Sequence, residues 1–297
     1  MFFRTDMAVE RRDLYKITNK IQEINGIECE EEKINDMNIT RVKITNKEGE
    51  KALQRKIGEY ITIDIKRLNN ITIEKEDEIV ETFSKELSRI VDNHISKNEE
   101  ILIVGLGNLY ATPDSLGSKV VQNIEITRHI KIYLPNAINQ NTRSVSAITP
   151  GVLGTTGIET IEIVRGIVDN VKPKLVIAID SLCSKNIDRI NKSIQISDTG
   201  IIPGGGVGNR QEELSQETLG IPVIGIGIPT VLDAATIVLD ALEVCEVEYN
   251  ENEIISKMKL NNFDFIVTPK EIDDLIDNMS VIIGEGINSA IQVNNYD

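Results

Sequence analysis

Residues 101–117, ILIVGLGNLYATPDSLG, decide how this chain reads. The first four are all apolar and mostly β-branched, the pattern of a strand buried on both faces. Gly105-Leu106-Gly107-Asn108 then forms a turn at the strand's C-terminal end, where glycine lets other groups come close to the backbone. Thr112-Pro113-Asp114 reads as a helix start, with residues 115–128 as the helix. In an open α/β sheet the crevice beyond the strand C-termini is where ligands bind. Asp114 would stand there, at the positive end of a helix dipole.

The same pattern recurs downstream. Residues 175–179 (LVIAI) form a second apolar strand, followed directly by Asp180-Ser181-Leu182. Residues 223–228 (VIGIGI) form a third, ending in Pro229-Thr230. Helical periods separate them: Ile79, Val80, Phe83, Leu87, Ile90 and Val91 within 76–95, then 158–171 with Glu159 and Glu162 in its first turns. Residues 231–242 read as a helix, and Thr268-Pro269 caps a last one over 270–283. Apolar strands alternating with amphipathic helices make a three-layer α/β sheet. Residues 129–134 (HIKIYL) and 194–196 read as further strands, and 135–143 as a loop. Residues 39–45 and 60–65 alternate apolar with polar, as half-exposed strands do, with a turn at Glu48-Gly49. Residues 71–73 add a short strand. Residues 34–74 thus read as a β-rich insertion or flanking sheet within a single domain, 1–297. Residues 10–32 are charged and end in Glu28-Cys29-Glu30-Glu31-Glu32, read as an N-terminal arm and a solvated helix.

Composition narrows the function. A length of 297 residues can bury a full core, and a net charge of −15 argues against a nucleic-acid backbone as main partner while allowing a basic protein substrate. Cys29, Cys183 and Cys245 are odd in number and lack CxxC spacing, which speaks against a disulfide framework or a zinc site. No apolar run is long enough to span a bilayer, and the N-terminus lacks a signal h-region. The reading is a cytoplasmic protein with no cofactor and no metal.

The two histidines, His94 and His129, lie outside the Gly-rich and post-strand loops, so a Ser-His-Asp triad is disfavoured and there is no HExxH. Cys183 as a nucleophile would lack a histidine partner. Asp114 and Asp180 remain, each after an apolar strand and hence on one edge of a parallel sheet. Two converging carboxylates cannot both ionise easily; one holds a proton and the other can activate a water, which suits amide hydrolysis. The plainer alternative is that each caps a helix. Two Gly-rich loops, 149–157 and 197–209, are expected to line the same crevice. With Gly107 and Asn108 they would place Gly154, Thr155, Asp198, Gly204, Gly205 and Gly206 along a substrate chain. The GLGN turn resembles a dinucleotide fingerprint whose third glycine is replaced by Tyr110. Peptidyl-tRNA hydrolase also uses a GLGN turn, but its chemistry wants a nearby histidine and a basic surface.

The segments RTDMA, GLGN followed by TPDSLG, PGVLGTTGIET, VIAIDSL, IQISDTGIIPGGGVGN, LGIPVIGIGIPTVLDA and TPKEID closely resemble the germination protease family of spore-forming Firmicutes. They run in order from Arg4 to the C-terminal helix. The resemblance implies an endopeptidase that degrades small acid-soluble spore proteins in the forespore or spore core. It implies an atypical aspartic mechanism, with the family's two aspartates at Asp114 and Asp180. It also implies a phosphorylase/hydrolase-like sandwich similar to hydrogenase maturation proteases, a homotetramer, and a zymogen that loses a short propeptide. An inactive member that only binds spore proteins is the non-enzymatic alternative. Only three residues precede Arg4 and the region 246–263 is short for the family. Regulation is therefore expected from burial of the site by an N-terminal arm or by subunit packing; the crowded Glu28–Glu32 run reads first as a solvated charge run, with an element that acidification would relax as the alternative.

Overall fold

Three apolar strands laid side by side in parallel set the architecture, and the rest of the chain is added around them. The computed structural model describes residues 5–66, 72–205, 211–263 and 265–292. In chain order the elements are α1 (Ala8–Asn19), β1 (Ile27–Ile34), β2 (Met37–Ile44), α2 (Lys47–Leu53), β3 (Gly58–Ile65), α3 (Ile73–His94) and β4 (Ile101–Gly105). There follow α4 (Leu116–Gln122), α5 (Arg128–Tyr133), β5 (Val145–Ile148), α6 (Leu153–Thr156), α7 (Thr160–Val171), β6 (Leu175–Ser184) and β7 (Ser193–Ser197). The chain ends with α8 (Gln216–Leu219), β8 (Val223–Asp233), α9 (Ala234–Val244), α10 (Glu251–Leu260), β9 (Ile266–Val267) and α11 (Ile272–Ile291). The strands form one mixed sheet of nine, in the order β1-β2-β3-β7-β8-β6-β4-β5, with β9 on the end of β8. The half β5-β4-β6-β8 is parallel, and the half from β7 to β1 is antiparallel.

Successive residues of a strand face opposite sides, so an all-apolar strand needs cover on both. Ile101, Ile103, Ile177 and Ile179 face Phe83 and Leu87 of α3 and Ile283 and Ile287 of α11. Leu102, Val104, Val176 and Ala178 face Ile161, Val164 and Val168 of α7. The result is an α/β architecture with helices on both faces of the sheet.

Residues 128–133 form helix α5, where a strand was expected. Neighbouring strands β4 and β5 are parallel, so the chain between them must cross over, and α4 and α5 make that crossover. The expected helix over 115–128 is shorter: a 3-10 turn at Thr112–Asp114, then α4, which ends at Gln122. Glu48-Gly49 sits in helix α2, whose cap is the Asn46 side chain, accepting from the Glu48 and Gly49 N–H groups at 2.9 and 3.0 Å. Thr72 precedes helix α3 and Ile73 begins it, while Ile71 lies outside the described residues. Helix α9 starts at Ala234 because β8 runs through Pro229 to Asp233, and α11 starts at Ile272.

The early strands extend the central sheet through β3, which pairs with β7 from Tyr60↔Ser197 to Asp64↔Ser193. The acidic run is edge strand β1, its side chains exposed, with Glu31 near Arg12 at 3.2 Å and Glu32 near Arg41 at 2.9 Å. Helix α1 is less solvated than its charge suggested. Ala8, Val9, Glu10 and Arg12 are buried. The Glu10 carboxylate accepts from Ser184 Oγ, from Lys185 N–H at 2.7 Å and from Asn186 N–H at 3.2 Å, and pairs with Arg189. Ahead of it, Asp6 N–H donates to the Cys183 carbonyl at 2.9 Å, and Cys183 N–H donates to Asp6 Oδ2 at 3.0 Å. The N-terminal segment is thereby fastened to the end of β6.

Gly286 in α11 lies against the buried ring of Phe83, which a Cβ would overlap. Alanine there gains about 1 kcal/mol in helix propensity. Overpacking against a fixed ring costs about 1–3 kcal/mol. Gly286→Ala is therefore expected to lower the thermal midpoint; a variant as stable as the parent would refute this account of the α3–α11 contact.

Candidate active site

The site begins where β4 stops. Leu106 N–H donates to the Ile179 carbonyl at 2.8 Å, extending the β4–β6 ladder by one step. Gly107 follows with φ +92°, a conformation that favours glycine, and a Cβ there would overlap the Asp114 carbonyl. This opens the way for Asn108 N–H to reach both the Asp114 carbonyl at 3.0 Å and its carboxylate Oδ2 at 2.9 Å. Asn108 Oδ1 accepts from Tyr110 N–H at 3.0 Å, and Asp114 N–H donates to the Ala111 carbonyl at 2.7 Å. The loop closes on itself and presents Asp114 from a 3-10 turn. Helix α4 can approach the strand ends closely because Gly117 has no side chain to meet the Ile179 carbonyl and Leu106.

Asp180 is reached differently. It belongs to β6 itself, on the same face as Ala178, and is 2% exposed. Its Oδ1 accepts from the N–H of Ser181 at 2.9 Å and its Oδ2 from the N–H of Gly204 at 3.2 Å. Asp114 and Asp180 line one cavity of about 280 Å³ just beyond the C-terminal end of β4, beside the continuing strands β6 and β8. Burial pushes the Asp180 carboxyl well above the usual carboxylate range, the Asp114 charge adds to the rise, and the two N–H groups offset part of it. Burial also raises the Asp114 carboxyl, against the pull of the Asn108 N–H. This is the environment of a carboxyl pair in which one member keeps a proton.

Of the expected site residues, Gly107 and Gly204 line this cavity with the two aspartates, and Gly151 and Pro203 bring in both Gly-rich loops. The others among the described residues stand elsewhere. Asn108 builds the loop that carries Asp114. Gly154 and Thr155 lie in the exposed helix α6, where the Thr155 hydroxyl bonds back to Val152. Asp198 accepts from Glu59 N–H at 2.7 Å and fastens the start of β3 to the end of β7, away from the cavity lining. Gly205 donates its N–H to the Ile202 carbonyl, a tight turn beside the cavity. Gly206 lies outside the described residues. Thr230, Gln211 and Ile266 line the cavity without having been singled out, and Pro229-Thr230 was the available signal, a break written inside a buried strand. Among the described residues no histidine lines the cavity. Nor, among them, do three His, Cys, Asp or Glu side chains gather as metal ligands would.

The sequence profile described as germination protease matches residues 4–252. Several proteins named germination protease are similar over nearly their full length. That of Caldanaerobacter subterraneus subsp. tengcongensis is 45% identical, over 97% of this chain and 94% of the relative. That of Clostridium acetobutylicum is 42% identical, over 97% and 95%, and that of Bacillus licheniformis 36%, over 98% and 94%.

A carboxyl whose pKa is higher folded than unfolded supports the fold below the unfolded value and loses that contribution as pH rises through the folded one. Asp180 is such a group. Asp180→Asn removes the titration, at the pH-independent cost of an amide facing the N–H donors. The stability of the parent, measured by urea unfolding, is expected to decline relative to Asp180→Asn as pH is raised from about 4. Parallel pH curves would contradict a strongly raised carboxyl.

Proposed function

The chain belongs to the germination protease family, and on that premise we propose that it is an endopeptidase that begins the breakdown of small acid-soluble spore proteins in the spore core, with Asp114 and Asp180 as its catalytic pair. The observation that carries the reading is the shared cavity: two carboxyls from two separate chain segments, one of them buried, just beyond the C-terminal end of β4. In the proposed reaction the pair begins and ends the cycle with one proton. Asp114, the more accessible, acts ionised as general base on a water, and protonated Asp180 donates to the scissile carbonyl oxygen. On collapse of the tetrahedral diol the C–N bond breaks, Asp114 passes the proton taken from water to the leaving nitrogen, and a diol hydroxyl returns a proton to Asp180 as the carboxyl product forms. The apolar wall of Leu106, Val152, Val231 and Ile266 would exclude bulk water.

We also propose regulated access and a homotetramer. None of the described residues of the N-terminal arm lines the cavity; the arm runs beside it, fastened to β6. Exposed Phe263 and Phe265, whose rings meet edge to face, offer apolar surface beside Ile266 for a neighbouring copy. Among the described residues no helix is long and apolar enough to cross a membrane.

Incubation with a purified small acid-soluble spore protein, followed by mass spectrometry, is expected to show a few defined internal cuts. Asp114→Asn and Asp180→Asn should each abolish them while the fold is kept, a loss of at least about 10³-fold by analogy with other paired acid–base groups. Substantial cleavage by either folded variant would remove the pair from the mechanism. Light scattering should give four times the 33.1 kDa chain mass; a monomer at assay concentration would defeat the tetramer.

A further inference from the structure

Pairing between β6 and β8 is regular through Asp180↔Gly227, Ser181↔Ile228 and Leu182↔Pro229, then resumes at Cys183↔Val231. Thr230 is the residue left over, a bulge in the middle of the sheet. Bulges commonly re-aim a side chain beside an active site. Here the preceding residue is a proline with no N–H to lose, and its carbonyl accepts from Asn191 N–H at 2.7 Å. The Thr230 side chain is fully buried and lines the cavity of the two aspartates. Its hydroxyl donates to the Pro113 carbonyl at 2.7 Å, one residue before Asp114. Its own carbonyl accepts from the Thr268 hydroxyl at 2.9 Å, which secures the bulge from the opposite side.

We propose that Thr230 is a positioning residue for the carboxyl pair: its hydroxyl fixes the turn bearing Asp114 to β8, and so sets the distance from Asp114 to Asp180 on the adjoining strand. This rests on the proposed roles of the two aspartates. Among the described residues, Asn108 and Thr230 anchor the turn by hydrogen bonds. Asn108 N–H ties Asp114 to the loop after β4, which is itself a loop, whereas Thr230 ties it to the sheet that holds Asp180. Removing the hydroxyl leaves the Pro113 carbonyl without that donor and frees the turn to shift. A displacement of about 1 Å at a reacting group can cost about 10²-fold in rate. The pair should also report the change by titration. Asp180 faces Asp114, the Asp6 carboxylate and the N–H groups of Gly204 and Ser181; Asp114 faces the N–H of Asn108. If Asp114 draws away, its repulsion weakens and Asp180 titrates lower.

The test compares Thr230→Val, which keeps the branched shape and loses the hydroxyl, with Thr230→Ser, which keeps the hydroxyl. On spore-protein cleavage by the full chain, Thr230→Val is expected to lose about 10- to 100-fold in kcat with KM changed less than about threefold, and Thr230→Ser to stay near the parent. Carboxyl titration by 13C NMR should place the Asp180 midpoint lower in Thr230→Val only. Parent-like kcat and titration in a folded Thr230→Val would overturn the proposal, as would equal losses in both variants. Should Thr230→Val fail to fold, Thr268→Val removes the bulge's second anchor and is judged by the same two readouts, with parent-like values again overturning it. If Asp114→Asn and Asp180→Asn are inactive while Thr230→Val matches the parent, only this inference fails. If either Asn variant stays active the catalytic reading fails, and the titration alone still decides whether Thr230 sets the spacing.

Discussion

A carboxyl group held inside an apolar sheet is the constraint on which the site depends. Asp180 continues a strand whose preceding residues, Leu175 to Ile179, are fully buried, and it is itself almost as inaccessible. A buried carboxylate is tolerated only with hydrogen bonds, or it takes up a proton. The structure supplies both conditions. Backbone N–H groups of Ser181 and Gly204 bond its two oxygens, and the nearby Asp114 charge favours the protonated state. The loop that brings Gly204 must therefore pass close to Asp180 within β6, which fits a glycine-rich stretch at that point in the chain.

The two halves of the sheet divide the labour. Strand β4 stops at Gly105, opposite Ile179, while β6 and β8 run on to Ser184 and Asp233, and the cavity lies beside that step; the antiparallel half and α1 brace it. The brace is polar and specific. Asp6 exchanges hydrogen bonds with Cys183, and Glu10 gathers the backbone of Lys185 and Asn186 just past the end of β6. Buried Gln195 of β7 completes the join, accepting from Ala8 N–H at 2.8 Å. A charged N-terminal segment thus becomes part of the frame around the site, because Asp6 and Glu10 find partners on β6 and the turn that follows it, while buried Arg12 pairs with Asp13 and with Glu31 of β1.

What was legible in the sequence was local. Runs such as ILIV and LVIAI need cover on both faces whatever surrounds them, so the parallel core and the aspartates at its edge could be read directly. The errors arose where a partner decides. HIKIYL alternates like a strand, yet it lies in the crossover that two parallel neighbours require. Pro229 looks like the end of a strand, but a bulge absorbs it and β8 continues. Asp198 sits in a Gly-rich stretch, as a ligand-binding residue might be written, but β3 arrives beside it and takes its carboxylate. None of these partners is near in sequence: Glu59 lies in another strand altogether.

The cavity also shows how two identical side chains come to differ. Asp114 stands on a 3-10 turn, partly open to solvent, with one N–H directed at its carboxylate; Asp180 is enclosed by strands and a loop. Burial is the first cause of a raised carboxyl at both, but at Asp180 the neighbour's charge acts in the same direction. The two charges repel, so a single proton on the pair settles preferentially where desolvation is greater. The division of acid from base in the proposed reaction then follows from position alone, with no histidine needed to lie between the groups. It also makes spacing the controlling variable. As Asp114 draws nearer, its charge adds to the rise that burial gives Asp180; as it draws away, the rise from burial alone is left.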